Sequence, residues 1–230
     1  MNSEIQPISI NTKALLTAGV VAGPLFTLMW IIESFTRPDY NPLRHPVSSL
    51  ALGDFGWMQV ANFIVAGLLM LAFALGLRRT LRSQTGSTWG PWLIAIWGIG
   101  LLGAGVFLTD PVSGYPLGTP ELLLNPTTQG ALHDQFSLLG FLALTVACFL
   151  FSYRFTRQGE RGWALYSAVT GLLFPMGIVL ASVGFSQAEG LVEFAGLVQR
   201  LTVTSGWAWL TLLAIHLLGS LRENTSRAQA

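Results

Sequence analysis

The sequence predicts an all-α polytopic membrane bundle of six transmembrane helices with both termini in the cytoplasm, and three observations carry that prediction. Apolar stretches run approximately over 13–32, 57–77, 92–109, 131–152, 163–185 and 201–221. Each is close to the roughly 20 apolar residues that a helix needs to cross about 30 Å of hydrocarbon. Hydrophobic residues form 52% of the chain and charged residues only 10%, against about 25% charged in soluble domains. One water-facing core could not hide that much apolar surface. Finally, the basic residues collect on alternate connections, as the positive-inside rule requires of a cytoplasmic side.

The elements follow in order. Residues 1–12 read as a polar cytoplasmic tail, 13–221 as the membrane domain and 222–230 as a second cytoplasmic tail. Helix 1 has no small-residue cleavage site after it, so it is expected to remain as a signal anchor. Lys13 precedes it. Arg78, Arg79 and Arg82 follow helix 2; Arg154, Arg157 and Arg161 follow helix 4; Arg222 and Arg227 follow helix 6. Only Arg37, Arg44 and Arg200 fall on the opposite, extracytoplasmic side. Trp30, Trp57, Trp92 and Trp163 sit where aromatic side chains anchor at the membrane interface. Pro24 and Pro175 lie within helices 1 and 5, where they are expected to introduce kinks. Cys148 is the single cysteine and lies inside helix 4, so it reads as a small buried hydrophobe.

Helices 2, 4 and 6 share an entrance of glycine followed three residues later by a hydrogen-bonding side chain: Gly56 with Gln59, Gly130 with His133, and Gly196 with Gln199. The recurrence suggests three related helical hairpins. Gly19 and Gly23 in helix 1, and Gly98, Gly100, Gly103 and Gly105 in helix 3, let backbones approach closely in lipid. Those faces are candidates for docking a second copy or another membrane protein. Gly98, Gly100 and Gly103 also fit a dinucleotide-binding spacing, but no strand precedes them.

Chemistry, if the chain has any, belongs to the extracytoplasmic rim. No ionisable side chain falls in the middle of a span, which argues against an ion path. A net charge of +1 gives no reason to expect nucleic acid. The rim offers Arg44, His45 and Ser48 in the first long loop, Asp110 after helix 3, His133 and Asp134 opening helix 4, and Gln199 and Arg200 opening helix 6. The expected arrangement is a polar pocket for a lipid headgroup or other amphiphile. Arg44 and Arg200 would supply charge for a phosphate or carboxylate, with His45, Asp134 and Gln199 completing the binding set. A hydrolytic version has Asp110 orienting His133 as general base toward a water or Ser48. Bland readings stand beside these: His45 fixing its own loop, Asp134 favoured by the helix 4 dipole, and Arg200 reaching to the interface. The competing function is a structural or assembly partner without catalysis. Two histidines at the rim do not make a three-histidine zinc centre; no metal is expected, and no motif assigns a cofactor.

The run His45-Pro46-Val47-Ser48-Ser49-Leu50 with Gly53 and Trp57, then Asp110-Pro111, Gly130-Ala131-Leu132-His133-Asp134 and Gln199-Arg200-Leu201, resembles the Domain of Unknown Function 998 family. The resemblance covers nearly the whole chain. It implies a six-helix prokaryotic membrane protein, sited in the cytoplasmic membrane, with no assigned reaction. The last family motif often carries Glu before the arginine, where this chain has Gln199.

Overall fold

A computed structural model describes residues 10–81 and 89–227. Arg82, the first nine residues and the last three lie outside them, as do the side chains of Arg222 and Arg227. The described chain forms α1 (Ile10–Thr36), α2 (Gly56–Leu81), α3 (Trp89–Val106), α4 (Thr128–Gln158), α5 (Arg161–Phe185) and α6 (Ala195–Arg227). Short 3-10 turns at Val47–Ala51 and Val192–Phe194 interrupt two of the connections. All six helices are long and apolar enough to cross a membrane.

Most helices overrun the apolar stretches that announced them, because polar end turns continue the helical hydrogen bonding into the interface. The exception shapes the site. α3 stops at Val106 rather than at Thr109, so Asp110 stands in the following loop and not at a helix end. α1 and α5 continue through Pro24 and Pro175 without a break in helix.

Each helix packs on its neighbours in sequence, and α6 returns to α1, closing a six-membered ring. Outward faces are as apolar as inward ones: Leu28, Leu68, Leu142, Leu172 and Val179 are all more than half exposed. A soluble protein could not carry such a surface, whereas for a ring of closed helices hydrocarbon is the natural solvent. The chain is a multi-pass membrane protein.

Inside the ring, each helix contributes one aromatic residue at mid-height: Phe26, Phe63, Trp97, Phe141, Phe174 and Trp207. Phe26 meets Phe63 and Trp207 at 5.5 and 5.2 Å between centroids. Trp97 meets Trp207, Phe141 and Phe174 at 5.5, 6.0 and 6.4 Å, and Phe141 meets Phe174 at 5.8 Å. These separations suit edge and tilted aromatic contacts. The layer divides the bundle into an arginine-rich half and a half capped by the long loops.

Glycine closes the ring. A Cβ on Gly103 would come within 2.1 Å of the Phe136 ring, one on Gly67 within 2.9 Å of the Gly98 carbonyl, and one on Gly19 within 2.6 Å of the Phe73 ring. The glycine faces of α1 and α3, expected as docking surfaces for a partner or second copy, are therefore occupied by neighbouring helices of the same chain. Small residues let those helices approach without leaving a face vacant.

Candidate functional site

On the long-loop side of the aromatic layer lies a cavity of about 520 Å³. Phe26, Phe63, Trp97, Phe141 and Trp207 form its floor, and Leu101, Leu138, Ile178 and Val203 its walls. Polar groups occur toward the loops: Ser48, Asp110, His133, Asp134, Ser137 and Gln199. The cavity reaches the surface of the bundle between α4 and α5, where Asp134 and Leu138 on one helix and Ser182 and Ser186 on the other line it and are exposed.

That opening follows from where glycine sits on α5. In the arginine-rich half, Gly171 lies against Cys148 and Phe149 of α4, and Ser152 donates to the Ala164 carbonyl at 2.8 Å. Beyond the aromatic layer the glycines of α5 meet α6 instead. Gly177 packs on Thr202 and Gly184 on Ala195, both of α6. α5 thus leans toward α6, away from α4.

His133 is buried, and its Nδ1 lies 3.0 Å from the Ala104 carbonyl and 2.9 Å from the Phe107 carbonyl. The first is an acceptor that α3 leaves free at its C-terminal end, and the second lies one residue beyond it. Two acceptors facing Nδ1 place a proton there, which leaves Nε2 as the ring nitrogen with no hydrogen bond among the described residues. The Phe63 ring packs edge-on against the imidazole at 6.1 Å. No hydrogen bond or ion pair joins His133 to Asp110 among the described residues, so main-chain carbonyls replace the expected carboxylate.

Asp110 has a different task. Its two oxygens accept from the backbone N–H and the hydroxyl of Thr127 at 2.8 and 2.7 Å. Thr127 is the N-cap of α4 and accepts from the Gly130 N–H at 3.0 Å. A Cβ on Gly130 would fall 2.1 Å from the carboxylate, so glycine makes room for it. The recurring glycines serve the same end at the other two entrances. A Cβ on Gly56 would meet the Ala51 carbonyl at 2.1 Å, and one on Gly196 the His45 carbonyl at 2.5 Å. At each entrance a loop rests directly on the start of a helix. The side chains three residues on also serve structure: Gln59 accepts from Asn62, and Gln199 accepts from the Val47 N–H at 2.8 Å while lining the cavity.

Arg44, His45 and Arg200 do not line the cavity; they lace the loops above it. Arg44 pairs with Glu121 at 2.6 Å and Glu193 at 3.1 Å, joining three connections. His45 is buried. Its Nδ1 accepts from the Asn41 N–H at 3.0 Å, and its Nε2 meets the Ser113 carbonyl at 3.2 Å. Burial pushes its pKa below the ordinary value, in keeping with a neutral ring that carries its proton on Nε2. Arg200 donates to the His45 and Gly196 carbonyls at 2.8 and 3.0 Å and to the Tyr40 hydroxyl. Its guanidinium stacks over Trp30 and Tyr40. Burial pushes the Tyr40 phenol up to about 12, so it stays protonated.

Sequence reasoning missed Thr127, whose position just before a helical run is itself an N-cap signal. It also missed the buried pair of Glu33 and Arg37, 2.9 Å apart, although their spacing of four is the helical pairing distance.

The profile of the family described as protein of unknown function (DUF998) matches residues 20–216. No curated protein and no solved structure matches the chain.

Proposed function

The chain belongs to the DUF998 family of proteins of unknown function, and we propose that it binds a membrane-resident amphiphile in the cavity above the aromatic layer. One observation carries the reading: the cavity is apolar at its floor, polar toward the loops, and open at the bundle surface between α4 and α5. A ligand with a hydrocarbon tail matches that gradient, because the tail is drawn to the aromatic floor and the head keeps polar partners. The arginine-rich end faces the cytoplasm in this reading, as the positive-inside rule requires, and the ligand comes from the outer leaflet of the cytoplasmic membrane.

Ser137 lines the cavity and is half-buried, so Ser137→Trp is expected to fill it. Mass spectrometry of amphiphiles co-purified in mild detergent should find one retained by the wild type and largely lost from the variant. Equal retention by both proteins would count against the reading.

Hydrolysis is a second reading, favoured by His133 alone: a buried imidazole with Nδ1 engaged and Nε2 unengaged has the arrangement of a general base. His133→Asn keeps an N–H donor for the α3 carbonyls while removing Nε2. In this reading the variant melts like the wild type and loses turnover of the co-purified amphiphile. Unchanged turnover would remove His133 from the chemistry. The glycine faces offered for a purely structural role are already filled from within the chain.

A further inference from the structure

Resting on the amphiphile reading, we infer that the ligand's headgroup carries a positive charge, as an amine or quaternary ammonium group, and not the phosphate or carboxylate that rim arginines would suit. Among the described residues no Lys or Arg lines the cavity, whereas Asp110 and Asp134 both do. The three arginines at this end are committed elsewhere: Arg37 to Glu33, Arg44 to Glu121 and Glu193, Arg200 to two carbonyls and a phenol. Among the described residues the Asp110 carboxylate has only the uncharged donors of Thr127. Asp134 has no hydrogen bond or ion pair among the described residues, and it stands at the opening between α4 and α5. An anionic head entering there meets two carboxylates and no arginine or lysine among the described residues. A cationic head meets the charge that the site lacks.

The assignment is therefore a cationic head at Asp134 and a tail on the aromatic floor.

The test uses the full chain in phosphatidylcholine vesicles and three photoactivatable probes of identical tail, present in trace: a fatty amine, a fatty alcohol and a fatty acid. Labelled residues are mapped by mass spectrometry. The amine should label cavity residues about tenfold more than the acid, a difference of one decade in affinity, and more than the alcohol. Asp134→Asn should remove that preference. This side chain is exposed and unpaired, so the variant should fold, and unchanged labelling of lipid-facing Leu172 reports that it has. Equal or stronger cavity labelling by the acid or alcohol overturns the charge assignment while leaving the cavity as an amphiphile site. Amine labelling that persists in Asp134→Asn overturns it too. If no probe reaches the cavity, the amphiphile reading fails and the charge assignment with it.

Discussion

Glu33→Ala is expected to lower stability by about 3–5 kcal/mol, the usual cost of stripping one partner from a buried ion pair. Glu33 is fully buried and Arg37 nearly so, and they meet at 2.9 Å where α1 leaves its span. Arg37 also donates to the Phe55 carbonyl and stacks over the Phe55 ring, so the pair ties the end of α1 to the entrance of α2. Without the carboxylate a guanidinium is left buried and uncompensated. Glu33→Leu combined with Arg37→Met should recover much of the loss, since two apolar side chains remove the desolvation problem entirely. Thermal unfolding in detergent reads both effects. A single variant that melts like the wild type, or a double variant no better than the single, would show that the pair is not holding this junction.

Arg200→Ala is expected to be comparably damaging for a different reason. Arg200 is buried, no carboxylate among the described residues pairs with it, and main-chain carbonyls and a phenol do the work of a counter-ion. Removing the guanidinium loses two charged hydrogen bonds to buried carbonyls, at about 1.5–3 kcal/mol each, and removes its stacking on Trp30 and Tyr40. The first long loop also hangs on α6 through the Leu197 N–H to the Leu43 carbonyl and the Val47 N–H to Gln199. It should therefore loosen rather than detach. Arg200→Lys should restore less than half of the stability, because an ammonium is a point charge and cannot reproduce the planar fork. Full rescue by lysine would mean that charge alone matters here.

Much of this architecture is legible in the sequence, for a physical reason. Crossing hydrocarbon demands long apolar helices, and that demand writes itself into hydropathy and arginine placement. The site residues were legible as a set gathered at one end, but their duties were not. Ser48, Asp110, His133, Asp134 and Gln199 do line one cavity. His133, however, takes its orientation from the Ala104 and Phe107 carbonyls. Main-chain acceptors exist at every residue and leave no side-chain signature. Arg44 and Arg200 suggested an anion site because arginine in a loop or at a helix entrance invites one. Their actual partners, Glu121, Glu193 and Tyr40, come from distant segments or depend on how the loop folds back.

The aromatic layer escaped notice for another reason. Phe26, Phe63, Trp97, Phe141, Phe174 and Trp207 are each unremarkable within a hydrophobic span. They form a pattern only once the helices stand in a ring and their heights are matched. The glycine entrances did carry a usable signal: Gly56, Gly130 and Gly196 recur because each lets a loop rest on a helix start.

The proposed function requires the cavity to seat hydrocarbon. The most direct measurement is a crystal structure of the protein grown with a brominated-chain amphiphile, with bromine located by its anomalous signal. Bromine should appear inside the ring, on the floor formed by Trp97, Trp207 and Phe141. Bromine confined to the outward faces of the helices, with ordered water filling the space beside His133, would contradict it.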